Sequence, residues 1–152
     1  MQKHLFNVDL IWLEDRKGLV CSPELVKGSV PSSNCFEVAT PPPFPKGMPN
    51  IWSPEHLFTA SVSSCLMTTF LAIAENSKLE FETFDCEAIG TMERIDGKYL
   101  MTEIVLNPSV TINNEKDRDR AERILQKSEA ACLISNSIKS KVTMEISIKV
   151  GG

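Results

Sequence analysis

The feature that most constrains how this chain can fold is one long helical pattern near its middle. Ser53-Pro54-Glu55 has the order of a helix start: a hydroxyl cap, a proline at the first helical position and an acid in the first turn. Apolar or small side chains then recur every three to four residues to about Asn76, namely Phe58, Val62, Cys65, Leu66, Thr69, Phe70 and Ile73. The small residues from Thr59 to Cys65 predict close packing against another helix or a sheet.

Alternating patterns predict strands on both sides of this helix. Residues 4–13 place four apolar side chains on one face, with Asn7 and Asp9 opposite, and residues 25–40 form short strands broken by Gly28 and Pro31. The four apolar residues of the first strand are Phe6, Val8, Leu10 and Trp12.

The second half of the chain predicts a hairpin, a helix and a last strand. Residues 81–94 and 99–106 pair through a two-residue turn at Asp96-Gly97. Pro108 interrupts the second strand, which Val110–Ile112 could continue beyond it. A helix follows from about Asn114, and residues 142–150 alternate as a strand. The order of elements predicts an α+β fold with a mostly antiparallel sheet.

Five of the nine prolines lie in residues 41–49, which can therefore form neither a helix nor an inner strand. The flanking segments are too short to be separate domains, so we predict an ordered surface loop. The 152 residues then form a single domain, residues 1–152.

The formal net charge of −4 leaves no basic stripe for a nucleic-acid partner. No apolar run approaches the roughly 20 residues of a membrane span, so no membrane partner is expected. The N-terminal residues do not resemble a secretory signal, which predicts a cytoplasmic protein.

The five cysteines are expected to be thiols in a reducing cytosol, because their odd number and the lack of a CxxC pair argue against a disulfide framework. Only two histidines are present, so no zinc site is expected. We predict surface or capping roles for His4 and His56, and a core position for Cys86.

Cys65 and Cys132 lie on the apolar sides of the two predicted helices. A buried helical cysteine is more often a small hydrophobe than a nucleophile, so the pattern alone leaves core packing and catalysis both open. The chain contains no phosphate-binding glycine loop, GxSxG elbow or HExxH motif.

Three segments resemble the OsmC/Ohr protein family. The first runs from Trp52-Ser53-Pro54-Glu55-His56-Leu57 through Ser63-Ser64-Cys65 to Thr68-Thr69-Phe70-Leu71-Ala72 and is similar to the family's central helix. The second, Ala131-Cys132-Leu133-Ile134-Ser135-Asn136-Ser137, is similar to the segment around the family's second cysteine. The third, Asp15-Arg16-Lys17-Gly18, resembles the turn that supplies its active-site arginine. The resemblance implies an OsmC-like α+β fold, with antiparallel sheets wrapped around two central helices in an intertwined homodimer.

The resemblance further implies a thiol peroxidase that reduces organic hydroperoxides. Cys65 would be the peroxidatic thiol and Cys132 the resolving thiol, while Arg16 and Glu55 would form the ion pair that holds Cys65 as the reactive thiolate. The reductant would be a dithiol, such as a lipoylated protein, and no metal, haem or flavin cofactor is expected.

Phe44, Leu66 and Phe70 would form an apolar lining that suits an alkyl hydroperoxide. Glu129 and Leu133 stand where the family often has histidine and proline. A carboxylate at position 129 is expected to raise the pKa of Cys132 and to slow disulfide formation.

Two other functions fit parts of the pattern. In the first, both cysteines are core filler and an OsmC-like dimer binds a small apolar ligand. In the second, the chain is a hot-dog-like acyl thioesterase, but no acid lies in the middle of the helix where that chemistry needs a base. Rapid, selective labelling of Cys65 would favour the peroxidase.

If the Arg16–Glu55 pair that the resemblance implies does activate Cys65, helix geometry predicts that the active site is shared between two subunits. Glu55 and Cys65 are ten residues apart in one predicted helix, so their Cα atoms should be about 15 Å apart and on different sides. Glu55 can therefore act near Cys65 only if the helix is broken or if it belongs to a second copy. We expect Cys65 and Cys132 of one chain to face Glu55 and Arg16 of the other.

Overall fold

The computed structural model describes residues 2–152 and divides into two compact units, one comprising the chain up to Leu57 and the other Phe58–Gly152. Each unit is described by itself below. Whether residues 1–152 act as one domain stays a prediction.

The first unit contains a three-stranded antiparallel sheet in the order β1-β2-β3. Its strands are β1 (Asp9–Glu14), β2 (Lys17–Cys21) and β3 (Cys35–Ala39). Every residue of β1 is exposed, including Trp12 at 74%. The first strand therefore begins five residues later than predicted, and its apolar side chains form no buried face within this unit.

Cys21 and Cys35 form a disulfide, so the expectation that all five cysteines are thiols is wrong. The two residues are direct partners in the antiparallel pairing of β2 with β3, and their Cα atoms are 4.2 Å apart. Their spacing of 14 residues could not show this, because the register of two strands depends on the course of the loop between them. The argument from free thiols to a reducing cytosol no longer holds.

The proline-rich segment is an ordered loop, as predicted. Its backbone closes tight turns, with the Phe44 N–H donating to the Pro41 carbonyl at 3.1 Å and the Met48 N–H donating to the Thr40 carbonyl at 2.9 Å. Gly47 is required here, because a Cβ atom on it would lie 2.1 Å from the carbonyl oxygen of Pro41.

The second unit contains most of helix α1 (Pro54–Asn76), which begins at the end of the first unit, and a mixed sheet. The other elements are β4 (Phe81–Ile95), β5 (Lys98–Ile112), α2 (Arg118–Ala130), β6 (Lys141–Met144) and β7 (Ser147–Val150). β4 and β5 are antiparallel, whereas β6 and β7 both pair parallel to β5. The helices and the hairpin at Asp96-Gly97 are confirmed; the predicted last strand is broken in two, and its parallel pairing was not foreseen.

The predicted interruption of β5 at Pro108 does not occur. The Leu106 carbonyl accepts a hydrogen bond of 2.8 Å from the Glu145 N–H, so the backbone groups of even-numbered β5 residues face β6 and β7. Pro108 has the same orientation and lies opposite the break between these two strands. A proline has no backbone N–H to donate, and at this position no hydrogen bond between the strands requires one.

Alternate residues of β5 carry the core of this unit. Ile104, Leu106, Val110 and Ile112 are fully buried, because successive side chains of a strand point to opposite faces. Against them pack two helix faces: Val62, Leu66, Phe70 and Ala74 from α1, and Ala121, Ile124 and Leu125 from α2. The helical pattern of α1 predicts Val62, Leu66 and Phe70 as apolar positions, but it does not include Ala74.

By length and composition alone, α1 could cross a membrane, since it has 23 residues and an 18-residue stretch with a mean hydropathy of 1.7. This corrects the expectation that no apolar run approaches a membrane span. Core helices of globular proteins share this composition, and α1 buries Leu66 and Phe70 completely in the second unit.

We predict that Gly90→Ala destabilises the protein, because a Cβ atom at position 90 of β4 would lie 2.2 Å from Oγ1 of Thr59 on α1. Overpacking of this kind costs about 1–3 kcal/mol, measurable by urea denaturation. Adding Thr59→Ala should recover part of the loss, and Gly152→Ala, which meets nothing within 4 Å, should be neutral. Equal stability of Gly90→Ala and wild type would contradict the contact.

Candidate functional site

Two cysteine side chains meet where the middle of α1 faces the segment that follows α2. Cys65 is half-buried on α1, and Cys132 is fully buried. The prediction that Cys132 lies on a helix is wrong. α2 ends at Ala130, and Cys132 lies in the following turn, where its N–H donates to the Glu129 carbonyl at 3.1 Å.

The turn after α2 supplies hydrogen-bond donors to the Cys65 sulfur. The backbone N–H groups of Ile134 and Leu133 face that sulfur, together with the hydroxyl of Thr69 and the thiol of Cys132. Ile134 also packs against the core. The turn is closed by a hydrogen bond of 3.0 Å from the Asn136 N–H to the Cys132 carbonyl.

These donors lower the pKa of Cys65. Burial is the largest single influence and raises that pKa, because it disfavours the charged thiolate. The donors of Ile134, Cys132, Thr69 and Leu133 act in the opposite direction and together outweigh burial. Cys65 is therefore disposed to react as a thiolate.

The pKa of Cys132 is shifted in the opposite direction. Burial raises it most, and the Cys65 sulfur raises it further, against the lowering effect of the Ser135 hydroxyl and N–H. The pair thus keeps its proton on Cys132 and its negative charge on Cys65. The Glu129 carboxylate raises the pKa of Cys86, after burial and Asp85, and is not among the causes at Cys132. The predicted direction at Cys132 is right, and burial is its largest cause.

Cys86 is a half-buried free thiol on β4 that packs against the core with Leu66 and Leu106. Its predicted core position is confirmed. Burial raises its pKa, which makes it less nucleophilic than Cys65 at neutral pH.

Arg16 lies in the turn between β1 and β2, within the first unit. It borders an open cleft of about 320 Å³ together with Trp12, Thr40 and Pro54. Glu55 is half-buried in the first turn of α1. The pairing of Arg16 with Glu55, and its effect on Cys65, stay predictions.

The three residues predicted to bind substrate lie in different surroundings. Leu66 and Phe70 are fully buried in the core of the second unit, where Phe70 stacks on Phe84 with ring centroids 5.0 Å apart. Phe44 is half-buried in the proline-rich loop of the first unit. Their contact with an alkyl chain stays a prediction.

His56 is exposed, which agrees with the surface role that was one of the two predicted, and Ser53 is the residue that caps the helix. The His56 backbone N–H donates to Oγ of the buried Ser53 at 3.1 Å, and the His56 Nδ1 atom lies 2.7 Å from the same oxygen. Over residues 2–152, no cluster of three or more His, Cys, Asp or Glu side chains is arranged to hold a metal ion.

Sequence reasoning missed the donors that surround Cys65. Thr69 was assigned to the apolar helix face, although its position four residues after Cys65 is the spacing at which helical side chains meet. The N–H groups of Leu133 and Ile134 carry no sequence signal, because every residue except proline has one.

We predict that Cys65 is alkylated at lower pH than Cys86 and Cys132, because a lowered pKa leaves more thiolate as the pH falls. Thr69→Val removes one donor and should move the midpoint of Cys65 alkylation upward, towards that of an ordinary thiol. Thr68→Val is the matched control, since that hydroxyl bonds to the Cys65 carbonyl at 3.1 Å. The measurement is iodoacetamide labelling across pH, followed by peptide mass spectrometry. Equal midpoints for Cys65 and Cys86 would refute the assignment.

Bacterial proteins have sequences similar to that of this chain. Protein YmaD of Bacillus subtilis (strain 168), described as uncharacterized, is 25% identical over 157 residues, which cover 100% of this chain and 99% of YmaD. Peroxiredoxin OsmC of Escherichia coli (strain K12) is 23% identical over 97 residues, which cover 64% of this chain and 67% of that protein.

An OsmC-like protein of unknown function from Vibrio cholerae has the same fold, with a TM-score of 0.80 and 23% identity over 95% of this chain and 99% of that one. This confirms the predicted OsmC-like α+β fold. The family model described as OsmC-like protein matches residues 47–147, about two thirds of the chain. The chain therefore belongs to the OsmC-like protein family.

Proposed function

We propose that this protein is a thiol peroxidase that reduces organic hydroperoxides through a Cys65–Cys132 disulfide. The observation that carries the proposal is the asymmetric pair, in which Cys65 has a lowered pKa and Cys132, in contact with it, a raised one. An ordinary cysteine is only a few per cent ionised at pH 7, so a stabilised thiolate is the first requirement of this chemistry.

The cycle has two chemical steps before reduction. The Cys65 thiolate attacks the terminal oxygen of the hydroperoxide, the O–O bond breaks, and the alkoxide takes a proton to leave as an alcohol. Cys65 is now a sulfenic acid. The Cys132 thiol condenses with it, which forms the disulfide and releases water.

A dithiol then reduces the disulfide by exchange and becomes oxidised itself, which restores both thiols. A lipoylated protein has this chemistry. The residues that we propose to act are side chains and backbone donors of the chain itself, so the cycle requires no metal, haem or flavin.

Two observations support a peroxide substrate with an organic group. The surroundings of the cysteine pair are apolar, since Ile134 and Ile138 pack on the core formed by Val62 and Leu66. A relative, the Escherichia coli protein, is named a peroxiredoxin. We propose that Phe44, Leu66 and Phe70 contribute to the apolar environment of the alkyl group.

We propose further that the protein acts as a homodimer with composite sites. Large apolar side chains are exposed in the single chain, among them Phe6 at 84% and Trp12 at 74%, and Met67 and Leu71 are exposed on α1. A second copy would cover such surface. α1 is continuous from Pro54 to Asn76, so the predicted separation of about 15 Å between Glu55 and Cys65 applies.

In the composite site, Arg16 and Glu55 of the partner subunit would complete the surroundings of Cys65. A guanidinium is a permanent positive charge with several donors, so it can favour the thiolate and bind a peroxide oxygen. The donors within the chain would then prepare the thiolate, and the partner subunit's Arg16 would position the peroxide.

We predict that Cys65→Ser abolishes turnover of an alkyl hydroperoxide with dihydrolipoamide as reductant. Cys132→Ser should consume one equivalent of peroxide and leave Cys65 as a trapped or over-oxidised sulfenic acid. In the wild type, stoichiometric peroxide should link Cys65 to Cys132, with Cys86 still free on peptide mapping. Wild-type turnover by Cys65→Ser would refute the peroxidase, and inert thiols would favour a dimer that only binds an apolar ligand.

We predict that mixed dimers of inactive Cys65→Ser and inactive Glu55→Ala regain about one functional site each, because one of the two sites then combines an intact Cys65 with an intact Glu55. Subunit exchange can be verified with two affinity tags before the turnover assay. Verified mixed dimers without activity, or a fully active monomer in solution, would contradict the composite site.

A further inference from the structure

Two buried polar atoms close to the cysteine pair lack a hydrogen-bond partner: Oε2 of Glu129 and Oγ of Ser135. Glu129 lies in the last turn of α2, and Ser135 begins a short 3₁₀ turn three residues after Cys132. Buried polar atoms are nearly always satisfied in folded proteins, and exceptions tend to mark catalytic or water-binding positions.

These atoms extend the cysteine pair into a row of four groups. The Cys65 sulfur contacts the Cys132 thiol, and the Cys132 sulfur lies beside the Ser135 hydroxyl. The same hydroxyl lies beside the Glu129 carboxyl group. Since Oγ of Ser135 has no partner of ordinary hydrogen-bond geometry, it remains available to turn towards either neighbour.

The proposed cycle needs a proton acceptor beside Cys132. This thiol must lose its proton when it attacks the sulfenic acid of Cys65, yet it is fully buried and has no direct access to solvent. A protein group that takes this proton as the sulfur attacks would make Cys132 a better nucleophile. A hydroxyl can accept a proton on one lone pair while it donates its own, and a carboxylate can receive the proton at the end of the row.

We propose that Glu129 accepts the proton of Cys132, relayed by the hydroxyl of Ser135, during disulfide formation. This inference rests on the proposed peroxidase function. The Cys132 sulfur bonds to the Cys65 sulfur, the S–O bond of the sulfenic acid breaks, and the hydroxide that leaves takes a proton from solvent to become water. When the dithiol later cleaves the disulfide, Glu129 returns its proton to the Cys132 thiolate.

The surroundings of Glu129 suit a group that takes and returns a proton. Burial raises its carboxyl pKa, against a smaller lowering by Ser135. Glu129 raises the pKa of Cys86 on β4, as does Asp85 of the same strand, and the Ser135 hydroxyl lies between Glu129 and Cys132. A carboxyl group with a raised pKa is a stronger base once ionised, so it accepts the thiol proton more readily than an ordinary carboxylate.

The rate of disulfide formation should therefore rise with pH as Glu129 ionises, at a pH above the usual carboxyl range. In Glu129→Gln this rise should disappear, and the rate at neutral pH should fall about 100-fold, the effect of a lost general base. Ser135→Ala should produce the same slowing, because it interrupts the relay while leaving the carboxyl group in place.

The test follows the two steps separately in stopped-flow experiments. Sulfenic acid formation at Cys65 is measured by dimedone trapping, with Cys132→Ser as the reference. Disulfide formation is measured by quenching the reaction and mapping the peptides. The first rate should stay within about two-fold of wild type in Glu129→Gln and Ser135→Ala, because neither group contacts the peroxide-reacting thiolate directly. Glu122→Gln is the matched control, since that side chain is exposed on the same helix.

The outcomes separate this inference from the peroxidase itself. Glu129→Gln would overturn the relay if it forms the sulfenic acid and then forms the disulfide at least as fast as the wild type. The peroxidase proposal would stay intact. If Glu129→Gln does not fold, a wild-type rate in Ser135→Ala overturns the relay equally. If the wild-type protein forms no sulfenic acid with an alkyl hydroperoxide, both proposals fail together.

Discussion

The second unit depends on the packing of two helices against one strand. The buried side chains of β5 form a continuous apolar row, and α1 and α2 each place an apolar face on it. The close approach of α1 to β4 requires Gly90, where any side chain would meet Thr59. This packing sets the rotation of α1, and with it the direction of Cys65, which lies next to the fully buried Leu66 in the sequence. It also holds the end of α2 where Cys132 can meet Cys65.

The chemistry of the cysteine pair follows from a competition between burial and hydrogen bonding. Both thiols lose hydration, which on its own raises both pKa values. Cys65 receives two backbone N–H groups and two side-chain donors, whereas Cys132 itself donates towards Cys65. In the proposed cycle, a proton shared unequally in this way would distinguish the attacking thiol, Cys65, from the resolving thiol, Cys132. Arg16 and Glu55 lie in the first unit, and their part in activating Cys65 belongs to the proposed homodimer.

The first unit is stabilised differently from the second. Of its strand residues, which the structure describes in full, only Ala39 is buried, so its sheet gains little from a hydrophobic core. The disulfide between Cys21 and Cys35 links neighbouring strands, and Lys17 pairs with Glu14 and Glu37 across the sheet. Surface pairs of this kind contribute little to stability, because water and salt screen the two charges. Its apolar side chains are exposed in the single chain, which is the physical reason to expect a second copy against them.

The sequence by itself determined the local elements and the family. The cap at Ser53, the repeat along α1, the Asp96-Gly97 turn and the cysteine motifs depend on neighbours within a few turns, so they can be read from residue order. Only the tertiary structure decided the register that joins Cys21 to Cys35, the parallel pairing of β6 and β7, and the donors from Leu133 and Ile134 at Cys65. The strand register and the parallel pairing depend on which distant segments meet, and the donors at Cys65 are backbone N–H groups that nearly every residue type has. Neither feature can be read from the order of neighbouring residues.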